Sequence, residues 1–208
     1  MRRERRDDGG ALVALEVDPA TDDDRAEAEA AGLGLAREIL QLRVALPLEA
    51  AVDDPALATR PFVPGADDVG LLTVNNRAFA WHPDQSDWTV EDLRARTSEQ
   101  WFDPEGFRVH ERDGRIVGFC WTKVHPADDV DPALGEIFVI GVDPDHHGRG
   151  LGRALVVDGL RHLADCGLRT GMLHVEHDNT AARNLYRSLG FTEHSSHCWW
   201  RADDTSAP

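Results

Sequence analysis

The stretch HHGRGLG, His146–Gly152, lies between an apolar run, EIFVIGVDP (136–144), and an amphipathic one, RALVVDGLRHLADCG (153–167). N–H groups in the first turn of a helix lack intrahelical partners and carry the positive end of the helix dipole, so a glycine loop opening a helix is suited to anions. Gly148, Gly150 and Gly152 let the main chain come close to a ligand, and Arg149 and Arg153 add charge. The pattern points to a diphosphate; a tight strand–helix turn without ligand is the plain alternative. Neither the G-x-G-x-x-G of dinucleotide folds nor the Gly-Lys-Ser/Thr of a P-loop is present.

Upstream of the loop, PGADDVGLLTVNNRAFA (64–80) and TVEDLRARTSEQW (89–101) read as helices, the second with a Thr89 cap and Asp92 three residues on. GFRVHER (106–112) and RIVGFCWTKVH (115–125) flank Asp113-Gly114 and read as a hairpin, followed by a strand in LGEIFVIGVDP (134–144). Downstream come a helix near 149–166, a strand in LRTGMLHVE (168–176), a helix in NTAARNLYRSLG (179–190) and a last strand in FTEHSSHCWWR (191–201). With a short strand near Arg60–Val63, this order predicts an α+β, mixed α/β fold: a mixed central sheet with helices on both faces.

Residues 11–46 give strand, acidic helix, strand, and they overlay the C-terminal strand–helix–strand with LEVD (15–18) on VEHD (175–178) and Gly32-Leu33 on Gly190-Phe191. In that overlay the first helix is two residues the longer. Chance likeness of two amphipathic units is the alternative. The expected layout is a strand–helix–strand piece over 1–46, an Ala-, Pro- and Asp-rich linker over 47–59, the main domain over 60–201 and a disordered tail over 202–208.

A chain of 208 residues, 41% hydrophobic, suffices for one domain with an appendage. The net charge of -16 argues against nucleic acid, because phosphate backbones need a basic face. No apolar run is long enough to cross a bilayer and no secretory signal is evident, so a cytoplasmic monomer without a membrane partner is expected. Cys120, Cys166 and Cys198 are odd in number and widely spaced, which argues for reduced thiols, and none has the electropositive setting of a nucleophile. His194 and His197 face opposite sides of a strand, so no metal is expected.

GEIFVIGVDPDHHGRGLGRALV (135–156), followed by LHVEHDNTAARNLYRSLGF (173–191), is similar to the acetyl-CoA-binding core of the GNAT acyltransferase superfamily. His147 stands where that family's loop opens with Gln or Arg. A closer resemblance is carried by VNNRAFAWHPDQSDWT (74–89), WFDPEGF (101–107), GFCWTKVHP (118–126) and the two stretches above, which together look like the C-terminal catalytic half of the mycothiol synthases. Those enzymes resemble two fused GNAT domains and acetylate the cysteinyl amine of cysteinyl-glucosaminyl-inositol; residues 1–46 then read as the truncated end of the first domain.

The resemblance implies the GNAT N-acyltransferase fold, acetyl-CoA as acetyl donor, and a small-molecule amine as partner. Cofactor contacts fall to Ile140, Gly141 and Val142, where the sheet is expected to bulge and free main-chain donors; to His147, Gly148, Arg149, Gly150, Leu151, Gly152 and Arg153; and to Asn179, Ala181, Ala182, Arg183 and Asn184. Glu136 is the implied general base and Tyr186, the chain's one tyrosine, the implied acid for the departing thiolate. An edge-strand Glu and a packed Tyr are the structural alternatives. Asp84, Lys123, Glu136 and His174 (where the family has Tyr) are implied acceptor contacts, with Trp81, Trp88, Trp101 and Trp121 as candidate pocket walls or core. Transfer to another amine, or acetyl-CoA binding without turnover, are the competing functions.

Overall fold

The computed structural model describes residues 1–49, 57–81 and 87–202. In chain order the elements are β1 (Arg2–Arg6), β2 (Leu12–Val17), α1 (Asp22–Ala30), β3 (Leu33–Ala45), β4 (Arg60–Pro61), α2 (Asp68–Ala78), α3 (Val90–Thr97), β5 (Phe107–Arg112), β6 (Arg115–His125), β7 (Leu134–Val142), a 3-10 turn (Pro144–His146), α4 (Leu151–Asp165), β8 (Thr170–Glu176), α5 (Thr180–Ser188) and β9 (Thr192–Ala202). They form two compact units, Val44–Met172 and Met1–Arg43 with Leu173–Pro208. This division differs from the one expected from sequence, because β9, from the end of the chain, pairs antiparallel with both β2 and β3, from its start.

In the Val44–Met172 unit the strand order is β4-β5-β6-β7 and then the start of β8. The first four pair antiparallel, whereas β7 joins β8 in parallel at Gly135↔Gly171 and Glu136↔Met172. Asp113 and Gly114 both take positive φ, 50° and 71°, the conformation a two-residue hairpin turn requires. Alternation along β6 sends Phe119 and Trp121 into a cluster with Leu71 and Val74 of α2 and Leu93 of α3. The Trp121 and Phe107 rings stack with centroids 4.3 Å apart. Cys120 and Thr122 face the other way, toward α4, where a Cβ on Gly159 would come within 2.6 Å of Cys120 Sγ. Leu155, Leu160 and Leu163 of α4 are fully buried, each contributing about 2 kcal/mol of apolar transfer free energy.

The bulge in β7 lies at Phe138, between Trp121↔Val139 and Thr122↔Ile137, and not at 140–142 as expected. Ile140, Gly141 and Val142 pair regularly with Cys120, Phe119 and Gly118. Gly141 has a packing reason instead: the Phe119 ring lies where its Cβ would be, 2.5 Å away.

In the other unit the order is β1-β2-β9-β3, with β8 beside β3. Ala28 of α1 packs with Leu12, Leu15, Val17, Leu33, Cys198 and Trp200. β1 was not foreseen, since RRERR has no apolar alternation; its five exposed residues pair with β2 through the main chain, and Arg2 reaches Glu27 of α1 at 2.7 Å.

The repeat seen in sequence has a structural counterpart in this unit. Adding 158 to a residue number converts α1, Asp22–Ala30, into α5, Thr180–Ser188, and the β3 bulge residue Ala36 into the β9 bulge residue His194. Under the same shift Leu35↔Trp200 becomes Glu193↔Leu42, and Ile39↔His197 maps onto itself, the mark of a local pseudo-twofold axis. The helices are equal at nine residues and β2, Leu12–Val17, falls on Thr170–Val175 of β8 under the same shift, so the first copy has no longer helix, and the overlay of LEVD on VEHD read from the sequence is two residues out of step.

Candidate active site

The glycine loop leaves β7 through Asp143, whose carboxylate accepts from Asp145 N at 2.9 Å and from Arg77 Nη1 at 2.8 Å. Arg77 also reaches Asp145 at 2.9 Å, which ties α2 to the turn. These contacts hold the Asp145 carboxyl below the usual carboxylate range, chiefly through the Arg77 hydrogen bond. Gly148 and Gly150 adopt φ of 73° and 76°, and α4 then begins with no side-chain cap and no acidic residue in its first turn. A Cβ on either glycine would meet nothing within 4 Å, and on Gly152 only Val142 Cγ2 at 3.9 Å, so the protein's own packing does not demand glycine at 152. Open donors beside that free surface fit a pyrophosphate. His147 turns back, with Nε2 3.0 Å from Val142 O. Arg149 is exposed and Arg153 half-buried.

On the strands beside this loop, Glu136 is buried at 7% exposure and lies opposite Lys123 in the β6–β7 register. Its Oε2 is 2.7 Å from His125 Nε2. The Lys123 ammonium instead stands over the rings of Trp101, 4.6 Å from the centroid, and Phe138, 5.4 Å. Trp101 and Trp121 are 5.6 Å apart, so a buried carboxylate, an imidazole and a cation share an aromatic surround. Of the tryptophans, Trp121 and Trp88 are buried and Trp81 is exposed. Asp84 lies outside the described residues.

In the other unit Asn179 caps α5, its Oδ1 accepting from Ala182 N at 3.1 Å. Ala181 and Asn184 are exposed on that helix. Arg183 binds Glu193 at 3.1 Å and His177 O at 2.8 Å, contacts internal to the fold. Tyr186 is 7% exposed, its ring centroid 5.7 Å from that of Phe191. His174, exposed on β8, is 3.4 Å from Gln41. His197 is engaged by Glu16 at 3.1 Å and stacks on Trp199, and the bulge at His194 breaks the alternation from which opposed faces were expected. Cys120 is fully buried, and burial raises its thiol pKa far above the usual value.

His125 and Arg77 went unnoticed in the sequence. His125 had a signal: it follows Lys123 by two residues in a strand and so shares its face. Arg77 had none, since nothing local links a helix residue to a turn 66 residues later.

A family described as the acetyltransferase (GNAT) family matches residues 75–191. Similar curated proteins are the mycothiol acetyltransferase of Thermomonospora curvata, 50% identical over 171 residues covering 81% of this chain and 56% of that protein, and that of Streptomyces coelicolor, 46% identical over 179 residues covering 85% and 57%. This chain thus spans little more than half the length of those relatives. Among solved structures, a GCN5-related N-acetyltransferase from Sphaerobacter thermophilus superposes with a TM-score of 0.68 at 26% identity, covering 89% of this chain and 57% of that one. A tandem GNAT protein from the clavulanic acid pathway shares the fold, with a TM-score of 0.60 at 18% identity, covering 91% and 61%.

Proposed function

Because the chain belongs to the GNAT acetyltransferase family, we propose that it transfers acetyl from acetyl-CoA to the cysteinyl amine of cysteinyl-glucosaminyl-inositol, the reaction that yields mycothiol. The observation that carries donor binding is the uncapped start of α4, entered through left-handed Gly148 and Gly150. Its amides, from Gly148 to Arg153, would hold the pyrophosphate, and Ile140, Gly141, Val142 and the first turn of α5 would hold the pantetheine arm. Bound there, acetyl-CoA supplies a thioester. The amine nitrogen bonds to the acetyl carbon as the carbon–sulfur bond breaks; Glu136 takes the amine proton and Tyr186 gives its phenolic proton to the sulfur.

The acceptor is supported by the half-length identity to mycothiol acetyltransferases and by the setting of Glu136 among Lys123, His125 and aromatic rings, which suits a polyhydroxylated amine. His174 and Asp84 belong to the same reading. We further read β2–α1–β3 as the closing part of a first GNAT-like half, on the strength of its pseudo-twofold match to β8–α5–β9.

CoA-SH release from acetyl-CoA is the test, with and without cysteinyl-glucosaminyl-inositol, beside a Glu136→Gln control. Release that depends on this acceptor and falls about 100-fold or more in the control is expected. Equal release with unrelated amines would overturn the acceptor, and no release with any amine would overturn the transfer itself.

A further inference from the structure

Lys123 lies directly opposite Glu136, and His125, one diagonal step along the sheet, brings its Nε2 to the carboxylate. The lysine is drawn aside by Trp101 and Phe138. We propose that His125 is the positioning residue for Glu136: donating Nε2–H to Oε2 at 2.7 Å, it holds the carboxylate in place to receive the proton of the acceptor amine. This rests on the acetyl-transfer reading above.

An ionised carboxylate only accepts hydrogen bonds, so a 2.7 Å contact to an imidazole nitrogen needs a proton on that nitrogen. A glutamate side chain has several rotors, and a base must keep its oxygen within hydrogen-bond reach of the proton it removes. The backbone supports the assignment, since His125 ends β6 immediately before Pro126, whose ring restricts the His125 main chain to extended conformations. His125 remains a third exposed, so its replacement leaves the core intact.

His125→Ala and His125→Gln test this, with melting curves to confirm folding. In His125→Ala kcat should fall about 10- to 100-fold, the range for a misplaced catalytic group, while KM for acetyl-CoA stays within about twofold. His125→Gln, which keeps an N–H donor, should recover most of the loss. Nitrogen-15 NMR of the unaltered protein should show the Nε2–H tautomer, whatever the activity. An unchanged kcat in His125→Ala, a loss carried by KM for acetyl-CoA, a glutamine no better than alanine, or an Nδ1–H tautomer would each overturn the inference with the acetyl-transfer reading intact. Absence of turnover in the unaltered chain breaks that reading, and the assignment of His125 to catalysis falls with it.

Discussion

Within the unit of Met1–Arg43 and Leu173–Pro208, β2–α1–β3 and β8–α5–β9 exchange places under one shift of residue number, down to the bulges at Ala36 and His194. Their polar groups do not follow. Where the second copy has Tyr186 the first has Ala28, fully buried; where the second has His174, the first has Glu16. Arg25 and Arg183 correspond, yet one binds Glu38 and the other Glu193. Ladder register and an apolar helix face are enough to preserve a backbone, whereas reactivity depends on single side chains that packing does not require.

The largest expected contrast is at that tyrosine. Tyr186→Phe should lower kcat by about 100- to 10,000-fold, the range for a lost general acid, with little change in melting temperature, because the ring that packs near Phe191 is kept. Ala28→Leu at the matching position should do the reverse: about 1–3 kcal/mol of overpacking strain, with turnover at 25 °C retained. Steady-state kinetics beside thermal melts separate the two. A fully active Tyr186→Phe would show that the copies differ in sequence but not in role.

The ion pairs give a smaller contrast. Arg25 Nη2 lies 2.6 Å from Glu38 and 3.0 Å from Ser196 Oγ, and the Glu38 side chain is only 8% exposed. Arg25→Ala leaves that carboxylate nearly buried without its cation, at a cost of about 2–3 kcal/mol. Glu193 is 56% exposed, so Arg183→Ala should cost less than about 1 kcal/mol. Urea denaturation of both variants is the check, and equal losses would mean that the surroundings of the two arginines are alike despite the different exposure.

The main elements were legible in the sequence because hydrophobic period, the Asp113-Gly114 turn and the Thr89 cap are local signals. The glycine loop was legible for the same reason. What escaped depends on distant partners. β1 forms by pairing its main chain with β2, the β7 bulge falls at Phe138, and Gly141 answers to the Phe119 ring on the neighbouring strand. The Glu136–His125 contact joins two strands, and the Asp143–Arg77 contact joins a turn to a helix; neither is written in a spacing.

The smallest expected contrast separates the two helix caps by pH. In α1, Thr21 Oγ1 and Thr21 N donate to Asp24 Oδ2 at 2.6 and 2.9 Å, while Asp24 N donates back to Thr21 Oγ1 at 3.3 Å. The Thr21 hydroxyl first, then its amide, hold the Asp24 carboxyl below the usual range, with Arg2 adding to them against a burial effect of opposite sign. A carboxyl whose folded value lies below its unfolded one stabilises the fold wherever the unfolded group is ionised, above about pH 4. That contribution is lost as pH falls through the folded value. In α5 the third helical residue is Ala182, so the Asn179 cap carries no carboxylate at that position. Between pH 5 and 3, amide exchange corrected for intrinsic rates should therefore accelerate in the first turn of α1 and not in that of α5, and Asp24→Asn should remove the difference. Equal acceleration in both helices would mean that acid loosens the shared sheet rather than one cap, and would count against treating the two copies as separable in chemistry while alike in geometry.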